Sequence, residues 1–174
     1  NGERQAGVGL FQVTQKDGER HSAAHAYLKP ALVERSNLSA RTGAQVTSLQ
    51  FDGDRVVGVE YQRDGERRTV QANEEVIVSG GTINSPQLLM LSGIGPADEL
   101  ETHDIEVEKE LPGVGRNLQD HLFATVQYEA ENALTREGVG GLDDIVEYHT
   151  QRSGRMTSNG GEGGAFIRTQ SGLE

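Results

Sequence analysis

Cysteine is absent from this chain of 174 residues, which excludes disulfides and thiolate metal sites and leaves the redox compartment unreadable. Lysine is scarce as well. Only Lys16, Lys29 and Lys109 stand among 16 basic residues, against 27 acidic ones. The net charge of −11 disfavours nucleic acid and anionic membrane as partners, since both need a basic surface. Two readings of that acidity stay open: an ordinary soluble acidic protein, or one suited to a high-salt cytoplasm. A cytoplasmic location is expected. The longest unbroken apolar run, Leu88–Leu91, falls far short of the ~20 residues a transmembrane helix needs. No basic stretch followed by an apolar one opens the chain as a signal peptide would. The G-x-S-x-G elbow, the G-x-x-x-x-G-K-[ST] loop and the G-x-G-x-x-G fingerprint are all missing, so hydrolytic triads and nucleotide hydrolysis have no support.

What is present is a glycine-rich globular composition, with 23 Gly and apolar periodicity in several segments. Asn1-Gly2-Glu3 opens the chain without an initiator Met, and Ser171–Glu174 closes it in polar sequence. The expectation is an internal piece of a longer protein. Residues 1–22 read as an irregular opening segment. Ser22–Leu28 suits a short helix with Ser22 as N-cap, ended or turned by Pro30. Asn37–Thr42 reads as short and extended. Val46–Phe51, Arg55–Tyr61 and Arg67–Ala72 are strands joined at Asp52-Gly53-Asp54 and Asp64-Gly65. Asp-Gly pairs supply the positive φ values of tight hairpins, so these predict a three-stranded antiparallel meander.

Glu75–Ser79 is short and almost wholly apolar, as a strand buried on both faces would be. It runs into Gly80-Gly81, then a helix from about Ser85 to Leu91 with Pro86 in its first turn. Gly93 and Gly95 stop that helix, and Pro96 opens another to about His103. Ile105–Val107 reads as a strand, 111–121 as a loop, Phe123–Tyr128 as a strand, Leu142–Gln151 as a helix, and Ala165–Arg168 as the start of a strand. A buried strand entering a helix through glycines brings a polar ligand to backbone N–H groups and the positive helix end. Without G-x-G-x-x-G, close packing explains those glycines equally well.

Of five histidines, His21 and His25 have the i, i+4 spacing of two metal ligands, but no third ligand lies close in sequence, and no metal site is expected. His121 follows Asp120 in a loop, where a carboxylate can orient an imidazole or raise its pKa. A purely structural tie between two segments is the competing reading.

The run "SGGTINSPQLLMLSGIG" (Ser79–Gly95) resembles, from Gly81 onward, the second signature of the glucose–methanol–choline (GMC) family of flavoprotein oxidoreductases. "SAAHAYLKP" (Ser22–Pro30), Asn37–Thr42, the meander, "LPGVGRNLQDHL" (Leu111–Leu122) and "TSNGGEGGAFIR" (Thr157–Arg168) resemble further landmarks of that family, in order. The likeness is nearest to its choline-dehydrogenase-like alcohol dehydrogenases. It implies an α/β (α+β) fold: part of an FAD-binding domain containing the meander, then the start of a substrate-binding domain. The implied divisions are 1–36 (opening segment and short helix), 37–118 (partial FAD-binding domain) and 119–174 (start of the substrate domain).

The resemblance also implies FAD as cofactor, with hydride passing from an alcohol carbon to the flavin while a histidine takes the hydroxyl proton. Val46 matches the position whose backbone meets the adenine, and Ser79, Gly80 and Gly81 match the strand end beside the cofactor. Asn117, Asp120 and His121 match the loop at the edge of the active site. Phe123 stands where choline-specific members have an acidic residue; a phenyl ring can attract a cation through its π face and equally suits an apolar alcohol, and a general primary alcohol is the preferred substrate class. None of the five histidines matches the catalytic one, so no catalytic residue is expected in this chain, and the electron acceptor is not specified. The alternative is a non-catalytic acidic scaffold that keeps the fold without the flavin.

Overall fold

The computed structural model describes residues 6–126 and 138–167. In chain order the elements are β1 (Gly7–Leu10), β2 (Gln15–Lys16), β3 (Glu19–Arg20), a π-helical turn (Ala24–Leu28) running into α1 (Lys29–Glu34), β4 (Gln45–Asp52), β5 (Arg55–Arg63) and β6 (Glu66–Gln71). There follow α2 (Gly81–Leu91), β7 (Ile94–Gly95), α3 (Ala97–Thr102), β8 (Lys109–Glu110), α4 (Leu142–Gln151), a 3₁₀ turn (Arg155–Thr157) and β9 (Gly163–Phe166). Helices and mainly antiparallel strands alternate, in the expected α/β (α+β) class. Contacts divide the chain into two compact units, 1–39 with 126–174, and 40–125.

The meander β4-β5-β6 anchors the second unit. Both hairpins close over two residues, between Asp52 and Arg55 and between Arg63 and Glu66. Gly53 (φ 58°) supplies the positive φ of the first turn, and Asp64 (φ 54°) with Gly65 (φ 81°) that of the second. The Asp-Gly pair supplies both loop residues of the second turn, whereas the first is turned by Gly53-Asp54 with Asp52 still in β4. Leu49 and Tyr61 turn their side chains inward and are 5% exposed.

Helix α2 packs on β4, and a buried hydroxyl ties them. Ser92 Oγ donates to the Leu88 carbonyl (2.6 Å) and accepts the Leu49 backbone N–H (2.9 Å). The helix then ends at Gly93 (φ 81°), where a Cβ would lie 2.5 Å from the Glu106 carbonyl oxygen. Only glycine fits a left-handed residue so close to another backbone. Beyond it, β7 and β8 pair in parallel around α3, whose Leu100 is 1% exposed.

In the first unit, β1 pairs antiparallel with β9, and β2 with β3. Helix α4 begins after Gly141, and its buried Asp144 accepts the Gly140 N–H (3.0 Å) and both Nε (3.0 Å) and Nη2 (2.9 Å) of Arg155. Hydrogen bonding from Arg155 holds the Asp144 carboxyl below the usual carboxylate range, reinforced by the Gly140 amide and by Arg155's charge.

Several expectations need correction. Glu75–Ser79 forms no strand and pairs with none among the described residues, and Ile77 is 76% exposed rather than buried. An apolar run specifies a strand only where another edge meets it. Residues 37–42 form no strand either, because the chain turns at Ser36-Asn37, with the Leu38 N–H on the Arg35 carbonyl (3.4 Å). Pairing begins at Lys109 rather than Ile105, since the Ile105 N–H is spent on the Leu100 carbonyl at the end of α3 (3.0 Å). Pro30 does not end the first helix; it follows directly on the π-helical turn, and the helix continues through it as α1 to Glu34. Helix α2 starts at Gly81, four residues before the expected Ser85, leaving Pro86 inside it. The opening segment is not wholly irregular, for Asp17 (φ 52°) and Gly18 (φ 72°) turn the β2–β3 hairpin. Residues 123–126 are not a strand, and the rest of that expected strand, with Arg168, lies outside the described residues.

Candidate functional site

Strand β4, residues 76–80 and one face of α2 border a groove of about 460 Å³. Val46, Val59, Val76, Val78, Leu88 and Leu91 give it apolar walls, and Asn84 and Gln87 from α2 add amides. Three of the expected cofactor residues, Val46, Ser79 and Gly80, line this one groove although more than thirty positions separate the first from the others. Gly81, the fourth, opens α2 with φ 82°, and a Cβ there would meet nothing within 4 Å. No acidic residue sits in the first turn of α2, so its amide end keeps its positive character.

This donor set fits the adenosine diphosphate part of a dinucleotide. Half-buried valines offer flat apolar contact, and side-chain-free backbone at a helix N-terminus suits phosphate. The hydroxyl of Ser92 and the hydroxyl of Thr47, which hold the groove's walls, were not singled out from the sequence. Ser92 carries a signal, being the serine of the "SGIG" run, but its partner Leu49 lies 43 positions away.

The expected substrate-region residues do not line this groove. Asn117 (φ 60°), Asp120, His121 and Phe123 are exposed, Phe123 by 85%. The Asp120 carboxylate accepts the His121 backbone N–H (2.7 Å), rather than orienting its ring. In the first unit, a hollow of about 660 Å³ is bordered by Gln12, Thr14, Arg20, Tyr148, Ser158 and Asn159, with Thr157 beside them. It thus takes in the first three residues of "TSNGGEGGAFIR". His25 is held by Ser22 (3.2 Å) and Lys29 (2.9 Å), one on each ring nitrogen. No group of three metal-ligating side chains is found among the described residues, and no helix among them is long and apolar enough to cross a membrane.

Residues 1–123 match a family model described as GMC oxidoreductase. The chain belongs to the GMC oxidoreductase family. A GMC-type oxidoreductase of Mycobacterium tuberculosis is 46% identical over 172 residues, covering 98% of this chain and 32% of the relative. Human mitochondrial choline dehydrogenase is 44% identical over 182 residues, covering 99% of this chain and 30% of its own length. Among solved structures, a fungal aryl-alcohol oxidase superposes with a TM-score of 0.73 at 29% identity, covering 91% of this chain and 29% of that one. The chain therefore spans about a third of the length of the relatives it matches. As a GMC flavoprotein segment it has FAD for its cofactor.

Proposed function

We propose that this chain supplies the adenine-side wall of the FAD site in a GMC enzyme that oxidises a primary alcohol to its aldehyde. The observation that carries the reading is the convergence of Val46, Ser79 and Gly80 on one apolar groove beside the N-terminus of α2. Bound there, FAD would supply the hydride acceptor, taking two electrons from the alcohol carbon as the hydroxyl proton passes to a base. The chain's own residues bind and orient. The valines face the flat base, the backbone of Val46 meets its edge, and Gly80-Gly81 let phosphate approach the α2 amides.

The remaining assignments belong to the same reading. Residues 37–118 form part of the FAD-binding domain, and 119–174 begin the substrate domain. Asn117, Asp120, His121 and Phe123 lie on the approach to the active site. Exposed Phe123 offers an apolar surface to the substrate's side chain, consistent with a general primary alcohol rather than choline. A cytoplasmic location accords with the acidic composition.

The test is anaerobic addition of primary alcohols and of choline to the full-length protein. Loss of the flavin's visible absorbance with an aliphatic or aryl primary alcohol, and slower loss with choline, is the expected result. A flavin that no primary alcohol bleaches would overturn the assignment.

A further inference from the structure

Strand β4 is irregular where it borders the groove. Val46 faces Tyr61 and Ser48 faces Glu60, so consecutive residues of β5 oppose residues two apart on β4, and Thr47 is the extra residue of a β-bulge. In an antiparallel ladder, opposed pairs alternate between those that exchange hydrogen bonds and those whose amides point outward. The phase is fixed here by Leu49, whose N–H leaves the sheet for Ser92 Oγ (2.9 Å). Ser48 therefore bonds inward to Glu60. Tyr61, next on β5, turns its amide to β6, where it faces Arg68. Val46, opposite Tyr61, consequently directs its N–H and C=O off the free edge of β4, towards the groove it lines. In a strand without the extra residue, the outward positions would be 47 and 45, and the Val46 amide would face β5.

Thr47 itself secures the bulge. Its hydroxyl is shared between the Glu60 carbonyl (3.3 Å) and the Glu60 carboxylate (3.0 Å). That carboxylate is also 3.6 Å from Arg67 Nη1 on β6, which pins it from the far side. Among the described residues, the Val46 carbonyl meets a long contact from Gln45 Nε2 (3.4 Å), which a ligand donor can replace.

We propose that Thr47 is a positioning residue for the cofactor's base: its hydroxyl holds the bulge that turns the Val46 N–H and C=O outward as a paired donor and acceptor. This rests on the reading of the groove as an adenine site. The N–H and C=O of one extended residue lie side by side, complementary to adenine's neighbouring N1 acceptor and N6 amino donor. Guanine presents the reverse pattern and does not match.

The experiment measures ADP and GDP affinity by calorimetry on the full-length protein stripped of flavin, for the parent, Thr47→Val and Thr47→Ser. Valine keeps the branched shape without the hydroxyl, and serine keeps the hydroxyl. The parent should prefer ADP, and Thr47→Val should lower the ADP-to-GDP affinity ratio by about fivefold to tenfold, the effect of one lost hydrogen bond. Thr47→Ser should stay within about twofold of the parent. A ratio unchanged in Thr47→Val, or equal weakening of both nucleotides, would overturn the positioning role while leaving the adenine site standing. A parent protein that binds no ADP would instead overturn the groove assignment, and this role with it.

Discussion

Replacing Ser92 with alanine removes a side-chain hydroxyl that joins the end of α2 to β4. Its loss leaves the Leu49 N–H without an acceptor at a position where Leu49 is 5% and Ser92 7% exposed. The Leu88 carbonyl fares better, because the Ser92 backbone N–H still reaches it at 3.1 Å. The cost is therefore close to that of one buried, unsatisfied amide, about 1–3 kcal/mol. Converted to a local opening equilibrium, this is roughly fivefold to 150-fold faster exchange of the Leu49 amide. Hydrogen–deuterium exchange with residue-level fragmentation on the full-length protein reads it directly. Val59, whose amide faces β6, is the internal control and should change by less than about twofold. Unchanged exchange at Leu49 would refute the clamp, and an equal rise at Val59 would show global loosening instead.

Two further substitutions test other joints. Gly93→Ala forces a left-handed backbone on a residue with a Cβ, costing about 1–3 kcal/mol before the 2.5 Å approach to Glu106 is counted; a lower melting temperature and faster proteolysis after α2 are expected. Asp144→Asn should weaken the α4 region at neutral pH. The wild-type carboxyl, held low by Arg155, binds a proton less readily folded than unfolded, so its stabilisation is present at neutral pH and fades as pH falls below about 4 through the lowered native value. The gap between the two proteins in exchange protection of α4 should therefore shrink in acid, and a gap constant with pH would contradict the pairing.

Local rules made much of the second unit legible. Two Asp-Gly turns marked the meander, and the glycines after Leu91 marked the end of α2, because both depend on φ values a single residue fixes. The same rule holds at Asp17-Gly18, but two-residue strands on either side leave no hairpin pattern in the sequence. Pairings between distant segments were not readable. Gly7–Leu10 meets Gly163–Phe166 across most of the chain, and nothing in either glycine-rich stretch specifies the other. The apolar run at 75–79 misled for the converse reason: its composition suits a buried strand, but no partner strand is found among the described residues. Val46, Ser79 and Gly80 were identified through family resemblance. Their shared groove, the bulge at Thr47 and the Ser92 clamp emerge only from the folded arrangement.

The central claim is that this chain forms one wall of an FAD site. Denaturing the purified full-length protein and identifying the released chromophore by chromatography tests it most directly. FAD is expected, at about one molecule per chain, displaceable from the native protein by excess ADP. A colourless protein, or one releasing a flavin without the adenosine diphosphate moiety, would contradict it.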